Sequence, residues 1–181
     1  MFARTKRLTL RPGWPEDAAA LTQAIAHECV ATKLARMPWP YQIDDAVTFL
    51  SIPRAATDPS FLIFSHEADH PQLVGSIGLR AEGGWWELGY WLTPNAWGRG
   101  YATEAGEAVL HTARHALPRR PIRAYHQLAN PASGRVLAKL GLRKVGEQMR
   151  YSLAQDRDVA CAVFEGDVLD GDRTGDMPIA A

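Results

Sequence analysis

The chain has 181 residues, of which 46% are hydrophobic and 22% charged, and this composition suits one compact globular domain. Its 20 basic and 20 acidic side chains cancel, which argues against the basic excess of a non-specific nucleic-acid binder. Short apolar runs and only two cysteines, Cys29 and Cys161, predict a cytoplasmic protein without a signal peptide, a membrane span or a disulfide framework. No Cys/His spacing indicates zinc, so we expect no metal.

The first half of the chain predicts a strand, two helices and then three further strands. The strands are predicted over 7–11, 61–65, 73–80 and 85–92, and the helices run from Glu16 to about Ala26 and onward from Asp44. Pro38 and Pro40 keep the segment between the helices from being helical. Short turns, one of them Gly83-Gly84, join the last three strands into an antiparallel meander.

The second half alternates helices and strands. It predicts helices over 103–116 and 132–139, and strands over 122–126, 142–150 and 159–164. A helical crossover leads to the strand over 122–126, so that strand should run parallel to its neighbour. We therefore expect an α/β fold, with a mixed, mostly antiparallel central sheet and helices on both faces. Residues 1–166 form this domain, and 167–181, rich in Asp and Gly, predict a flexible tail.

A glycine turn between a strand and a helix is the strongest local signal. It reads Trp97-Gly98-Arg99-Gly100-Tyr101-Ala102 and follows Pro94. Such a turn collects unpaired backbone N–H groups at a positive helix N-terminus, and glycine lets a diphosphate approach them closely. Arg99 would add a charged contact to a phosphate. The alternative is a plain strand-to-helix turn, and the pattern is neither a Walker A loop nor Gly-x-Gly-x-x-Gly.

The segment over 130–142 is the second signal. Asn130 follows a strand and precedes a helix, so a helix cap or a turn residue would explain it. That explanation does not account for the whole string, which continues through Ser133 to the sequence Lys-Leu-Gly-Leu.

Together the two segments resemble the GNAT superfamily of acetyl-CoA-dependent N-acetyltransferases. In that family a [Gln/Arg]-x-x-Gly-x-[Gly/Ala] turn binds the CoA pyrophosphate, and the turn that opens at Trp97 is similar to it. The Gly-Tyr-Trp-Leu before the turn, the Gly-Tyr-Ala-Thr-Glu-Ala in it and the Pro-Trp-Pro loop resemble the ribosomal-protein N-acetyltransferase (RimJ/RimL-like) branch. The resemblance covers about residues 5–166 and implies the GNAT-like acyl-CoA N-acyltransferase fold.

The resemblance also implies a set of acetyl-CoA contacts. These are Leu92, Trp97, Gly98, Arg99, Gly100, Tyr101, Ala102, Thr103, Asn130 and Ser133. Three positions depart from the family pattern. Trp97 replaces Gln or Arg, Leu142 replaces Phe, and Leu137 stands where many relatives carry the tyrosine that protonates the CoA thiolate.

Three residues are candidates for catalysis. Glu87 lies on the strand where some family members place a general base, although a strand glutamate can also be merely solvated. Ser133 would hydrogen-bond the CoA sulfur or pantetheine, or only cap its helix. His126 ends a strand near the expected thioester, but a lone histidine is often structural, so it is a secondary candidate, and its neighbour Tyr125 has the same status.

Aromatic residues are the candidates for the acceptor pocket. Trp39, Tyr41 and Trp85 would line it, with core packing as the alternative. Trp85 and Trp86 are adjacent on one strand and cannot both face inward, so at least one should face a cleft, a partner or solvent.

The predicted reaction is acetyl transfer from acetyl-CoA to a primary amine, with the thioester carbonyl polarised by a backbone N–H of the strand over 87–92. The acceptor would be a protein N-terminus, as the branch implies, or a small molecule. The chain would act without nucleic acid or membrane, and a homodimer is compatible with the sequence. The rival from another class is a non-catalytic acyl-CoA-binding module, which the missing tyrosine acid keeps open.

Overall fold

An eight-stranded sheet runs through the protein. The computed structural model describes residues 2–54 and 59–167. The strands are β1 (Ala3–Arg4), β2 (Leu8–Arg11), β3 (Ser60–Ser65), β4 (Gln72–Glu82), β5 (Trp85–Leu92), β6 (Ile122–Gln127), β7 (Arg143–Ser152) and β8 (Arg157–Gly166). They lie in the order β1-β2-β3-β4-β5-β6-β8-β7. Only the β5–β6 pair is parallel among these strands. The predicted mixed, mostly antiparallel sheet is therefore confirmed.

Five α-helices in the described part of the chain cover the two faces of the sheet. They are α1 (Ala18–Ile25), α2 (Glu28–Ala31), α3 (Ile43–Ser51), α4 (Tyr101–Ala116) and α5 (Pro131–Lys139). One core cluster joins α4 and α5 to Trp86 and Leu88 of β5. A second cluster joins α1–α3 to Trp91 of the same strand. Because side chains alternate along a strand, these two clusters occupy opposite faces, as predicted.

Two short elements were not predicted. β1 has two residues and pairs with Thr9 and Leu10, so it is too short to show an alternating pattern. α2 has four residues, less than the length at which helical spacing becomes readable. Of the predicted tail, only Asp167 is among the described residues. Among the described residues, no helix is both long enough and apolar enough to span a bilayer.

The parallel pair at the centre of the sheet is short. Pairing covers only Trp86–Leu88 of β5 against Ile122–Ala124 of β6, although β5 continues to Leu92 and β6 to Gln127. The two strands therefore stop pairing beyond Leu88. On its other side, β5 pairs with β4 through Leu92. The result is an unpaired gap between β5 and β6 in the middle of the sheet, called the opening below.

Candidate active site

The glycine turn follows β5, on one side of the opening, and leads into the N-terminus of α4. Gly98 has φ +75° and Gly100, the residue before the helix, has φ +81°. Both values lie in the left-handed region that glycine adopts without steric cost. Both glycines are exposed, so the backbone of the turn that leads into the 16-residue helix is accessible. The structure thus places two left-handed glycines directly before the helix, and anion binding at this turn stays a prediction.

The other predicted residues of the turn differ in what they offer. The Trp97 indole is half-exposed, and its Nε1–H donates to the carbonyl of Leu92 at 2.8 Å. Arg99 is exposed, with Nη1 3.3 Å from the Tyr101 hydroxyl. Tyr101 is fully buried and its hydroxyl also donates to Glu67, so the phenol is already engaged within the protein. Ala102 is buried and Thr103 half-buried.

Glu104 fixes the turn to the start of the chain. Its carboxylate accepts from the Thr5 hydroxyl at 2.6 Å, from the Arg7 N–H at 3.0 Å and from Arg7 Nε at 2.8 Å. Arg7 Nη1 also donates to the carbonyl of Arg99 at 3.0 Å. Burial alone would raise the pKa of Glu104, but the hydrogen bonds from Thr5 and Arg7 outweigh it, and the pKa lies below its ordinary value.

We expect Glu104→Gln to destabilise the protein at neutral pH by about 1–3 kcal/mol, because a partly buried charged hydrogen-bond acceptor is lost. A lowered folded-state pKa contributes stability that is complete above the unfolded value of about 4.3 and is lost as the pH falls through the folded value. The difference between parent and variant should therefore shrink below about pH 4. Urea unfolding from pH 7 to pH 3 measures it. A difference that is constant over this range would contradict the assignment.

The edge of β5 that faces the opening carries backbone donors. The Trp86 N–H donates toward β6, to the carbonyl of Pro121, and the Thr93 N–H donates toward β4, to the carbonyl of Val74. Because N–H directions alternate along a strand, the N–H groups of Tyr90 and Leu92 point to the β6 side, beyond the last paired residue. These are the two N–H groups of β5 that a ligand in the opening would meet.

α5 brings a serine and a tyrosine together beside the opening. The Tyr90 hydroxyl lies 2.7 Å from Ser133 Oγ and also donates to the Ser133 carbonyl at 3.1 Å. Burial raises the pKa of Tyr90 to about 12, against a smaller lowering by the Ser133 hydrogen bond, so the phenol stays protonated at neutral pH. The sequence analysis missed Tyr90. Leu137, at the position of the family tyrosine, is fully buried.

The remaining predicted residues of this face have different surroundings. Asn130 precedes α5, but its side chain makes no capping hydrogen bond to the helix. His126 packs against Phe164, with ring centroids 5.4 Å apart, and its Nδ1 lies 2.9 Å from the Gln127 carbonyl. A Cβ on Gly134 would stand 2.7 Å from His126 Nε2, so glycine allows α5 to pack directly over the imidazole.

Glu87 lies on the opposite face, in a pocket rich in arginine. Its carboxylate is 3.3 Å from Arg36 and 3.5 Å from both Arg80 and Arg150. The pocket has a volume of about 490 Å³. Its lining consists of Arg36, Arg80, Glu82, Trp85, Glu87, Tyr125, Gln148 and Arg150. Three guanidinium groups around Glu87 are a feature that the sequence analysis did not predict.

The predicted acceptor-side aromatics separate into pocket and core residues. Trp85 and Tyr125 line the pocket, and Arg150 stacks 4.0 Å from the centroid of the Tyr125 ring. Trp86 is buried in the core, so the two adjacent tryptophans do face opposite sides. Tyr41 is also buried, and burial raises its pKa to about 12. Trp39, 38% exposed, keeps an accessible surface outside the pocket lining.

The described residues hold no group of three or more His, Cys, Asp or Glu side chains that could bind a metal ion. Cys29 is exposed, Cys161 is buried, and both are free.

Solved structures of acetyltransferases have a similar fold. The structure of a GNAT-family acetyltransferase from Bacillus anthracis is similar at a TM-score of 0.78 and 23% identity, over 93% of this chain and 99% of that one. RimL, a ribosomal L7/L12 alpha-N-protein acetyltransferase solved with coenzyme A, is similar at a TM-score of 0.77 and 16% identity, over 92% and 98% of the two chains. The fold is thus that of the acetyltransferase class.

Comparison of the sequence with family models identifies the family. Residues 7–143 match the family model described as an acetyltransferase (GNAT) domain, so the chain belongs to the GNAT acetyltransferase family. A relative from Bacillus licheniformis, named uncharacterized N-acetyltransferase p20, is 28% identical over 166 residues, which are 88% of this chain and 92% of the relative.

Proposed function

We propose that this chain is an N-acetyltransferase that moves an acetyl group from acetyl-CoA to a primary amine without a metal ion. The observation that carries the proposal is the opening between β5 and β6, which leads to the glycine turn at the N-terminus of α4. In the reaction the amine nitrogen forms a bond to the acetyl carbon, the carbon–sulfur bond breaks, the amine loses a proton and the thiolate gains one.

The residues at the opening fit the parts of acetyl-CoA, which supplies an activated acetyl thioester when bound. The backbone N–H groups of the turn, of which 98–100 belong to exposed residues, suit a diphosphate, since they stand at the positive end of a helix dipole. The N–H groups of Tyr90 and Leu92 suit an extended amide-containing arm and the thioester oxygen. Leu92 itself, Trp97 and Asn130 would border this path. Arg99 is exposed and would reach a phosphate only by leaving Tyr101.

The two proton transfers, to the leaving sulfur and from the amine, would take place on opposite faces of the opening. Ser133, backed by Tyr90, stands on the α5 side and would donate a proton to the leaving sulfur. Glu87 stands at the closed end of the opening, on the other face, and would receive the proton of the amine, directly or through water. His126 makes its Nδ1 contact to the backbone and packs under α5, which supports a structural role for it.

The acceptor would approach from the face that carries Glu87. A protein N-terminus is the acceptor of the RimJ/RimL-like branch that the sequence resembles, and the fold similarity to RimL is compatible with it. The exposed Trp39 could border such an acceptor. A small amine is the alternative, and a non-catalytic acyl-CoA-binding module is the rival. Detecting CoA release with any amine excludes the rival.

The cofactor site is tested by Gly100→Ala, with Gly141→Ala as its matched control. Both glycines are exposed and have nearly equal φ, +81° and +87°, so each alanine should cost about 1–2 kcal/mol of stability. Only Gly100→Ala places a methyl group at the turn. We expect its acetyl-CoA affinity, measured by calorimetry with and without a chelator, to fall at least tenfold, and that of Gly141→Ala to stay within twofold.

Two results would count against the proposal. If the parent gives no heat with millimolar acetyl-CoA, the chain does not use this cofactor. If both alanine variants bind as the parent does, the turn only connects a strand to a helix.

A further inference from the structure

The pocket around Glu87 contains more positive charge than its own carboxylates neutralise. Arg36, Arg80 and Arg150 line it together with two glutamates, Glu82 and Glu87, which leaves one positive charge in excess (3 − 2 = 1). The chain as a whole has no net charge, so this excess is local. Burial, and then the neighbouring Arg80 charge, lower the pKa of Arg36, which agrees with guanidinium groups crowded together.

The arginines also have hydrogen-bond donors to spare. Each guanidinium carries about five N–H donors, whereas a carboxylate has about four acceptor positions. Glu87 is shared among all three at 3.3–3.5 Å, the long end of the hydrogen-bond range. Only Arg80 has a close partner in the lining, Glu82 at 2.6 Å. The donors of the pocket are therefore only loosely satisfied by the residues that line it.

Trp85 supplies a second and independent sign of a missing acceptor. Its side chain lines the pocket, and its Nε1–H is buried without a hydrogen-bond acceptor among the described residues. A buried donor without a partner destabilises the folded state, so an acceptor that reaches it would be favourable. The orphaned indole and the guanidinium groups call for the same chemistry, a group with several acceptor oxygens and a negative charge.

The arginines are held in place by the fold. The loop that carries Arg36 is tied down where the Thr32 carbonyl accepts from Gln127 and Gln155, both at 2.7 Å. The Leu153 N–H adds a bond to the Ala35 carbonyl at 2.9 Å. Arg80 stands directly opposite Glu87 in the β4–β5 register, and Arg150 stacks on Tyr125. The backbone positions that carry the arginines are thus fixed before a ligand arrives, which lowers the entropic cost of binding.

We propose that this pocket binds an anionic group, a carboxylate or a phosphate, that the acceptor amine carries. The inference rests on the proposed acetyl transfer, because it makes the pocket the specificity site of that reaction. Glu87 connects the two: it lines the pocket and lies one residue before the point where β5 and β6 stop pairing. An acceptor anchored by its anion between the arginines would therefore have its amine beside Glu87 and the opening.

The test uses pairs of amines that differ in the anionic group. β-Alanine is compared with β-alaninamide, and O-phosphoethanolamine with ethanolamine, by release of CoA. We expect kcat/KM for one of the two acids to exceed that of its neutral partner at least tenfold, and the pair that shows it distinguishes carboxylate from phosphate. Arg150→Gln and Arg36→Gln should each lower the preference tenfold or more, with the KM for acetyl-CoA unchanged. Arg119→Gln, an exposed arginine outside the pocket, is the control.

A binding measurement separates failure of the pocket from failure of the reaction. Phosphate and N-acetyl-β-alanine are titrated into the CoA-loaded protein by calorimetry. Binding that Arg150→Gln weakens tenfold, with no CoA release from any amine, would support the anion site and count against acetyl transfer to these amines. The inference is overturned if neutral amines react as well as the acids, if the preference survives in both pocket variants, or if there is neither turnover nor anion binding.

Discussion

Glu87→Gln is expected to lower kcat about 100-fold, with little change in the KM for acetyl-CoA. The substitution keeps the size of the side chain and removes the group that would take the proton of the amine, a role worth about 10²–10⁴-fold. The carboxylate lies on the face of the sheet opposite to Tyr90 and Ser133, so contacts to the cofactor should be preserved. Steady-state kinetics with a saturating amine, at pH 7–9, measures the change.

Loss of charge in the arginine pocket could lower activity without any role as a base, and Glu82→Gln controls for it. Glu82 lines the same pocket and pairs with Arg80 at 2.6 Å. It lies farther from the opening, beside the turn that joins β4 to β5. Its variant removes the same charge and should keep kcat within about threefold. If both variants lose activity equally, or if Glu87→Gln stays within twofold of the parent, Glu87 serves the arginines and not the amine.

The fold was predictable because most of its strands and helices have a recognisable hydrophobic periodicity in the local sequence. The meander β3–β5 and the amphipathic helix α4 show their periodicities directly, and they appear close to the predicted bounds. α4 begins at Tyr101 and not at 103, because left-handed Gly100 directly precedes the first helical residue. What periodicity could not give was the short pairing of β5 with β6. Where a strand stops pairing depends on the packing of both faces, and no local pattern records it.

The candidate site likewise has one part that the local sequence predicts and other parts that depend on contacts between distant residues. The glycine turn is contiguous, so its residue types alone indicated an anion site. The Tyr90–Ser133 contact joins residues 43 positions apart, and the arginine pocket gathers side chains from a loop, β4 and β7. The sequence did contain one usable signal: Tyr90 alternates with Glu87 and Trp91, which assigns it to the face of α4 and α5. It did not reveal which serine on that face the phenol would contact.

Ser133→Ala is expected to lower kcat about 100-fold, because it removes the hydroxyl that would protonate the leaving sulfur. Tyr90→Phe should lower kcat less, about tenfold, because Tyr90 acts through Ser133, whose Oγ is 2.7 Å away. The double variant then separates a coupled pair from two independent groups. In a coupled pair, removing the phenol costs nothing further once the serine hydroxyl is gone, so the double variant should equal Ser133→Ala. Steady-state kcat for the four proteins measures this coupling.

The pH dependence of kcat is a further expectation for the same pair. The pKa of Tyr90, raised to about 12, keeps the phenol protonated, so the parent should show no loss of kcat from its ionisation below about pH 10. Tyr151→Phe is the matched control, since that exposed phenol bonds Asp156 and not Ser133. The kcat of this variant and its pH dependence should match those of the parent. Additive losses in the double variant would assign Tyr90 and Ser133 separate roles, and a Ser133→Ala enzyme within twofold of the parent would leave Ser133 as a residue of the helix start alone.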